Sequence, residues 1–308
     1  MTKIPDPTAA LPVGVIGLGD IAQKAYLPVV TALPGLDLRL MTRDRAKLDR
    51  IGDAHRIAPD ARFTDLGELI GSGVRAAFVH AATEQHLPIV EQLLTAGVDV
   101  YVDKPLDYTL AGAVRLVELA EATGRSLVVG FNRRHAPGYV QAKERPRDLI
   151  VLQKNREGLP ERARTLVYDD FIHVVDTLRF LVPGEVDLVD VRARTRDGLV
   201  EHVVLTLGGA GFTALGLMNR VSGATEEVLE VSGGDSKRQV LNLAEVVDHR
   251  GQPTVRRRGD WVPVARQRGI EQCVTAFLDA VRTGRTQSAR DALTTHELCE
   301  EIVRRIGE

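Results

Sequence analysis

Cysteine and aromatic residues are scarce in this sequence, and long apolar runs are missing. Cys273 and Cys299 are the only cysteines, so neither a disulfide framework nor a zinc site built from thiolates is available. Aromatic residues make up 4% of the chain, and no run approaches the ~20 apolar residues of a membrane-spanning helix. We therefore expect a protein of the reducing cytoplasm without a membrane segment.

A charge excess of either sign is also missing. The formal net charge of −2 gives no electrostatic reason to expect a nucleic acid or membrane partner. The run "RRR" at 256–258 is local and indicates a solvated face or a strand end. Pro5 and Pro7 precede the first apolar run, which is unlike a signal peptide. What remains is the composition of a globular protein, and 308 residues suffice for two domains.

The first part of the sequence alternates short apolar runs with amphipathic helical stretches. This alternation is typical of a parallel sheet with helices on both of its faces. The predicted strands are residues 13–19, 36–42, 74–82, 98–105 and 126–132. We expect an α/β domain of the doubly wound Rossmann type over residues 1–130.

A glycine motif follows the first predicted strand and opens the first predicted helix. Gly17, Gly19 and Ala22 have Gly-x-Gly-x-x-Ala spacing. The first glycine permits a tight turn, the second lets the backbone approach a pyrophosphate, and the small third residue lets the helix pack closely on the strand. A plain tight turn is the alternative. If the motif binds a dinucleotide, the contacts come from Gly17, Gly19, Asp20, Ile21 and Ala22.

The end of the second predicted strand bears on which dinucleotide is bound. An acidic residue there would accept hydrogen bonds from ribose hydroxyls, whereas an arginine tolerates a 2′-phosphate. Thr42 and Arg43 occupy this point, with Arg45 two residues further on. This favours NADP. The alternative is NAD, with Asp44 reaching the ribose and Arg43 merely exposed.

The second part of the sequence has a different pattern. Short alternating stretches separated by glycine-rich turns predict a large, mainly antiparallel sheet, with one helix inserted at about 169–182. We expect residues 131–308 to form an α+β domain that binds substrate. Helices that cover one face of such a sheet leave the other face open, so we also expect a homodimer or homotetramer through this sheet.

The inserted helix carries a carboxylate and an imidazole among apolar residues. Asp169 and His173 lie four positions apart, hence on one helix face, and Asp176 lies three further on. The residues alone leave two interpretations open, a structural pair or a catalytic pair. Both types of side chain can bind metals, but there is no His-Glu-x-x-His motif and we expect no metal.

Several separated motifs together resemble the Gfo/Idh/MocA family of oxidoreductases, which includes glucose-fructose oxidoreductase and inositol dehydrogenase. The motifs occur in the family's order over nearly the whole chain. They are "VGVIGLGDIAQKAYLPVV", "VDKP" at 102–105, "GFNRRHAPGY" at 130–139 and "DDFIHVVDTLRFL".

The resemblance implies roles for a lysine and a proline. The family has Glu-Lys-Pro beside the nicotinamide, and this sequence has Asp103, Lys104 and Pro105. The family lysine contacts substrate and cofactor, so Lys104 is expected to bind both and to stabilise negative charge on the substrate oxygen. Pro105 is expected to help aim it.

The resemblance also implies that Asp169 and His173 match an Asp-x-x-x-His pattern of inositol dehydrogenase-like members. His173 would then exchange a proton with the substrate during hydride transfer. Asp169 would bind a substrate hydroxyl or orient the imidazole, whereas Asp176 is expected to brace the helix. His86 is expected to brace the loop near the cofactor. Arg134 either holds the substrate or forms a surface salt bridge.

The function implied by the resemblance is a dehydrogenase or reductase, dependent on NADP or else on NAD. It would act on a secondary alcohol or ketone of a sugar, polyol or related small molecule. A dinucleotide-sensing regulator without chemistry is one alternative, and the presence of Lys104 and His173 argues against it. An enzyme that keeps its cofactor through a closed redox cycle is another. The sequence does not identify the substrate.

Overall fold

The computed structural model describes residues 10–307. The chain divides into two compact units. The first contains the residues up to Gly130 together with Cys273–Asp291, and the second contains Phe131–Gln272 and the residues from Ala292 onward. The division into functional domains at 1–130 and 131–308 stays a prediction. The compact units differ from it in one respect, since the segment Cys273–Asp291 groups with the first unit by its contacts.

A six-stranded parallel sheet forms the centre of the first unit, with strand order β3-β2-β1-β4-β5-β6. Its central strands are apolar and buried, as expected for strands covered on both faces. The strands are β1 (Leu11–Ile16), β2 (Leu36–Met41), β3 (Arg62–Phe63), β4 (Ala76–Val79), β5 (Asp99–Val102) and β6 (Leu127–Val129). The predicted Rossmann architecture is confirmed.

Three helices of the first unit begin at polar caps. Asp44, Asp65 and Thr109 each accept a hydrogen bond from a backbone N–H of the first helical turn, which would otherwise lack a partner. A π-helical turn, Ala22–Tyr26, precedes the first helix. The helices are α1 (Leu27–Val30), α2 (Arg45–Ala54), α3 (Leu66–Gly71), α4 (His86–Thr95) and α5 (Leu110–Thr123).

An eight-stranded sheet forms the second unit, with strand order β14-β13-β12-β11-β7-β10-β9-β8. Neighbouring strands are antiparallel except for β7 and β10, which are parallel. The strands are β7 (Leu149–Asn155), β8 (Leu188–Arg196), β9 (Leu199–Gly209), β10 (Phe212–Asn219), β11 (Glu226–Gly233), β12 (Ser236–Leu241), β13 (Glu245–Arg250) and β14 (Gln252–Arg257). The predicted, mainly antiparallel sheet is confirmed.

The helix predicted at about 169–182 starts with a π-helical turn, Val167–Phe171, and continues as an α-helix over Ile172–Leu181. It packs on the sheet at Gly216. A Cβ at that position would lie 2.6 Å from Cγ1 of Val174 and 2.9 Å from Cδ1 of Leu178, so only glycine permits this approach. The remaining helices are α6 (Pro137–Lys143), α7 (Ala163–Leu166), α8 (Ile172–Leu181), α9 (Val264–Gln267), α10 (Ile270–Thr283) and α11 (Arg290–Ile306).

The first unit takes part of its core from α10. The ring of Phe277 lies 5.3 Å from that of Phe78 and 5.8 Å from that of Tyr101, measured between ring centroids.

Within residues 10–307, no helix has the length and hydropathy needed to span a bilayer.

Candidate active site and cofactor pocket

The turn after β1 contains two glycines that meet different surroundings. Gly17 has a φ of +82°, and a Cβ there would lie 2.5 Å from the backbone nitrogen of Ala81. Gly17 is therefore required by the backbone conformation and by the closeness of the segment after β4. A Cβ on Gly19 would meet nothing within 4 Å. Gly19 thus borders open space rather than protein, as expected where a ligand approaches the backbone.

A cavity of about 310 Å³ opens at the carboxyl ends of β1, β2 and β4. Such edges are where parallel α/β sheets bind ligands, and the volume lies at the lower limit of small-molecule pockets. The side chains and backbone that line it include Gly17, Gly19, Thr42, Arg43, Lys47 and His80. The cavity brings together four residues that the sequence predicts as cofactor contacts. The open space at Gly19 and the cations Arg43 and Lys47, which follow β2, fit the phosphates of a dinucleotide.

Other predicted cofactor residues do not line this cavity. Asp20 is exposed and forms an ion pair of 2.6 Å with Lys24, and Ile21 is 44% exposed. Ala22 is fully buried, as expected for a residue that lets the helix pack on β1. Contacts of Asp20, Ile21 and Ala22 with a cofactor stay predictions.

Asp44 and Lys47 lie at the start of α2, the helix that follows β2. Oδ1 of Asp44 accepts a hydrogen bond of 3.0 Å from the backbone nitrogen of Lys47, so this carboxylate caps α2. The side chain of Lys47 lines the cavity beside Thr42 and Arg43. Lys47 is absent from the sequence prediction, although its position in the first turn after the second strand could have indicated it.

Lys104 follows directly after β5. It is half-buried, and its backbone nitrogen donates a hydrogen bond of 2.9 Å to Oδ1 of Asp103. The peptide bond between Lys104 and Pro105 is cis. Lys104 thus lies at the carboxyl edge of the sheet, where the sequence predicts a substrate- and cofactor-binding lysine.

His86 connects the segments after β4 and β5. Its ring is buried, with Nδ1 2.8 Å from the carbonyl oxygen of Pro105 and Nε2 3.0 Å from that of Ala81. Burial lowers the pKa of His86 and outweighs the opposing effect of these two carbonyl groups. The ring is thus held by the backbone on both sides, which favours a bracing role.

His80 is a further buried histidine, which the sequence prediction missed. Its ring lies on that of Tyr26 at a centroid distance of 4.0 Å, and its Nδ1 is 3.8 Å from Oδ2 of Asp103. This distance is too long for a hydrogen bond. Burial alone would raise the pKa of Asp103, but the contacts with His80 and then Lys104 hold it below its usual value. His80 therefore supports the carboxylate that precedes Lys104.

The second unit contains Asp169 and His173. Asp169 lies in the π-helical turn and His173 in the first turn of α8, and both are half-buried. Between them, Asp170 is 9% exposed and Phe171 is fully buried. Asp169 and His173 thus share the partly accessible side of this segment, as the spacing predicts, while the residues between them face the interior.

Arg134 and Asp176 form a bidentate ion pair in the second unit. Nε and Nη2 of Arg134 lie 2.9 and 2.7 Å from the two carboxylate oxygens, and Oγ1 of Thr295 donates a hydrogen bond of 3.0 Å to the same carboxylate. Burial raises the pKa of Asp176 despite the opposing effect of Arg134. This geometry favours bracing by Asp176 and an ion pair for Arg134. Contact between Arg134 and a substrate stays a prediction.

Within residues 10–307, no group of three or more His, Cys, Asp or Glu side chains is placed to hold a metal ion jointly.

Comparisons with known proteins agree with this geometry. The model of an oxidoreductase family with an NAD-binding Rossmann fold matches residues 11–131, and a YceM-like C-terminal domain matches residues 137–250. YceM of Salmonella typhimurium strain LT2, whose name assigns it to the oxidoreductases without naming a substrate, is 34% identical over 88% of this chain and 90% of its own. An inositol 2-dehydrogenase of Acidiphilium cryptum is 34% identical over 57% of this chain and 55% of its own.

Solved structures give the same result. A Gfo/Idh/MocA family oxidoreductase from Vibrio cholerae superposes with a TM-score of 0.89 and 29% identity, over 97% of this chain and all of that one. The fold, the family model and these relatives together define a nicotinamide-dependent oxidoreductase. The chain belongs to the Gfo/Idh/MocA family. The predicted family and oxidoreductase class are confirmed, and the sensing alternative gains no support.

Proposed function

We propose that this protein is an NADP-dependent dehydrogenase or reductase of the cytoplasm. It acts on a secondary alcohol or ketone of a sugar, polyol or related small molecule, and it works as a homo-oligomer. When bound, the nicotinamide supplies the acceptor or donor of the hydride. Lys104, Asp169 and His173 carry the remaining chemistry.

The observation that carries the choice of NADP is the charge at the end of β2. Arg43 and Lys47 both line the cavity, and Asp44, the nearby carboxylate, is engaged as the cap of α2. Two cations beside the hydroxyl of Thr42 attract a 2′-phosphate, whereas a ribose diol requires an acceptor such as a carboxylate. The cofactor would be held by these side chains and by the backbone at Gly17 and Gly19.

The acid–base roles follow from the chemistry of alcohol oxidation. His173 takes the hydroxyl proton of an alcohol substrate, or returns one to the oxygen of a ketone. The ammonium group of Lys104 stabilises the negative charge that develops on the same oxygen. Asp169 binds a neighbouring hydroxyl or fixes the orientation of the imidazole.

The cofactor assignment is tested by exchanging the cations one at a time. Arg43→Ala and Lys47→Ala should each weaken NADPH binding by about tenfold or more, since each removes a charge-assisted contact to the phosphate. NADH binding should change little. Titration of nicotinamide fluorescence gives both dissociation constants.

Arg45→Ala is the matched control, because Arg45 is an exposed arginine two residues beyond Arg43 that pairs with Asp49. It should leave both affinities unchanged. Equal losses of NADPH and NADH affinity in Arg43→Ala would remove the phosphate assignment. Nicotinamide absorbance in a screen of polyols, aldoses and keto-sugars then identifies the substrate.

A further inference from the structure

A second cavity, of about 190 Å³, lies wholly within the second unit. It is formed where the end of β7 meets the start of β11 and the turn between β12 and β13, and its walls are mostly polar or charged. Pockets for whole small molecules usually have volumes of ~300 Å³ or more. This cavity therefore suits one functional group of a ligand, or one small ion, rather than a complete cofactor.

Beside the cavity, the carboxylate of Asp170 is bound by three cations. Nη1 of Arg220 lies 2.7 Å from Oδ2, Nε of Arg156 lies 2.9 Å from the same atom, and Nζ of Lys154 bonds to Oδ1. Burial alone would raise the pKa of Asp170, but the contacts with Arg156 and Lys154 outweigh it and hold that pKa far below its usual value. One carboxylate thus balances three positive charges only in part.

The wall of the cavity also contains a second buried pair. Nε and Nη2 of Arg133 lie 2.8 and 2.6 Å from the two carboxylate oxygens of Glu227. The hydroxyl of Tyr139 donates a further hydrogen bond of 2.8 Å to Oε1 of Glu227. Glu227 is therefore engaged mainly by Arg133 and Tyr139, and it offsets the charge of Lys154 only in part.

Positive charge exceeds negative charge in this cluster. The cavity wall adds the carboxylate of Glu226, which accepts a hydrogen bond of 2.9 Å from the amide of Asn155, and the exposed side chain of Arg268. The cations are Arg133, Lys154, Arg156, Arg220 and Arg268. The carboxylates are Asp170, Glu226, Glu227 and Glu157, the last of which accepts a hydrogen bond of 3.0 Å from the backbone nitrogen of Thr225 in the cavity wall.

Lys154 is 3% exposed, and its Nζ bonds to Asp170. Burial first, and then the nearby charge of Arg133, lower the pKa of Lys154 to about 8, although Asp170 and Glu227 oppose this effect. A bound anion would add a further negative charge beside this buried ammonium group.

We propose that this cavity binds a small oxyanion, a group with the shared chemistry of a carboxylate, phosphate or sulfate. Arg156 and Arg268 would donate from the accessible side of the cavity, and Lys154 would supply the buried charge. Arginine and lysine side chains recognise oxyanions through short, charge-assisted hydrogen bonds. The group belongs either to the substrate of the proposed reaction or to a separate effector. Binding itself requires neither the cofactor nor turnover.

Isothermal titration calorimetry of the 308-residue chain with inorganic sulfate, at constant ionic strength, tests the proposal. The wild type should bind sulfate saturably. Arg156→Gln and Arg268→Gln should each weaken binding by about tenfold, since each removes a charged donor. Arg192→Gln, which changes an exposed arginine of β8 paired with Asp190, should leave binding unchanged. Arg268 is exposed, so its variant tests the site even if Arg156→Gln does not fold.

Glu226→Gln should act in the opposite direction. It removes a negative charge from the wall and retains an oxygen that can accept from Asn155, so sulfate should bind more tightly, on the order of threefold. Damage to the fold cannot produce tighter binding. Raising the pH through about 8 should weaken sulfate binding, because Lys154 loses its proton while sulfate keeps its charge. Arg133, Asp170 and Glu227 face Lys154 and do not titrate in this range.

No saturable sulfate binding, or binding that Arg156→Gln and Arg268→Gln leave unaltered, would overturn the proposal. Steady-state kinetics with the substrate found in the screen then distinguish whether the natural anion is part of the substrate or a separate effector. Sulfate inhibition that raises KM alone assigns the cavity to the anionic group of the substrate. A change in kcat alone assigns it to a separate effector. Because sulfate binding is measured without turnover, an inactive enzyme that binds sulfate refutes only the proposed function.

Discussion

His173 is the residue on which the proposed chemistry most depends. It lies on the half-buried side of its helix, four residues after Asp169. Replacing it with alanine should lower kcat by roughly 10² to 10⁴, the effect expected when a positioned acid or base is lost. Steady-state kinetics with the substrate from the screen, together with circular dichroism of the variant, measures this loss and checks the fold.

His249→Ala provides the comparison, because His249 is a half-buried histidine of β13 whose Nε2 contacts Gln239 at 3.4 Å. Its turnover should equal that of the wild type. If His173→Ala retains turnover within a few-fold of the wild type, His173 is structural and another group transfers the proton.

Single residues differ in how well the sequence predicts them. A family motif surrounds Lys104 and supports a prediction for it, whereas His80 falls inside an apolar run and has the appearance of an ordinary strand residue. Its contact with Asp103 depends on the parallel register that pairs Val79 with Val102, since each residue is the next one after its strand. Only tertiary structure gives that register, so residues just past the ends of neighbouring strands must be considered together.

At the scale of elements, the two glycines of the turn after β1 lead to opposite predictions. Gly17→Ala places a Cβ 2.5 Å from a backbone atom at a φ of +82°, so we expect it to destabilise the fold by about 1–3 kcal/mol. Gly19→Ala meets no protein atom within 4 Å and should leave stability nearly unchanged. It should nevertheless weaken NADPH binding, because the new methyl group occupies space needed by the pyrophosphate.

Urea unfolding and NADPH titration of both variants measure the two effects. Gly73→Ala serves as a reference for backbone strain alone, since Gly73 has a φ of +92° with no atom near the added Cβ. If Gly19→Ala binds NADPH as tightly as the wild type, the turn does not contact the pyrophosphate.

The helix that carries Asp169 and His173 indicates what periodicity predicts and what it misses. Apolar spacing indicates a helix and places both residues on one side of it. The π-helical turn at Val167–Phe171 adds one residue to a turn, and the 3.6-residue period contains no signal for it. Nothing in the sequence therefore distinguishes Asp170 from the residues next to it. In the structure, its carboxylate contacts three cations.

At the scale of the whole molecule, the sequence predicts the fold of each unit. It does not predict to which unit the helices near the end of the chain belong. The amphipathic pattern of α10 indicates a helix, but an apolar helix face does not specify which core it completes. Phe277 lies against Phe78 and Tyr101, so this helix contributes to the first unit although it follows the second sheet in the sequence.

The large sheet also leads to a prediction about assembly. Gly216 faces α8, so Leu215 and Leu217 point to the other side of β10, where they are half-buried. The register places Val151 beside Leu215, and Val204 beside Leu217. The centre of this second face is therefore apolar. Eight strands spaced ~4.8 Å apart and roughly 23 Å long give a face of about 800 Å², which is the area each partner buries in a standard interface.

We accordingly expect the wild type to be a homodimer or homotetramer that associates through this face. Leu217→Arg should convert it to a monomer at micromolar concentration, because an unpaired charge buried in an interface costs several kcal/mol. Val186→Arg adds the same charge at an exposed apolar residue outside the sheet and should leave assembly unchanged. Light scattering coupled to size exclusion gives the mass of each. A monomeric wild type, or a Leu217→Arg variant that still assembles, would mean that the sheet face is not the interface.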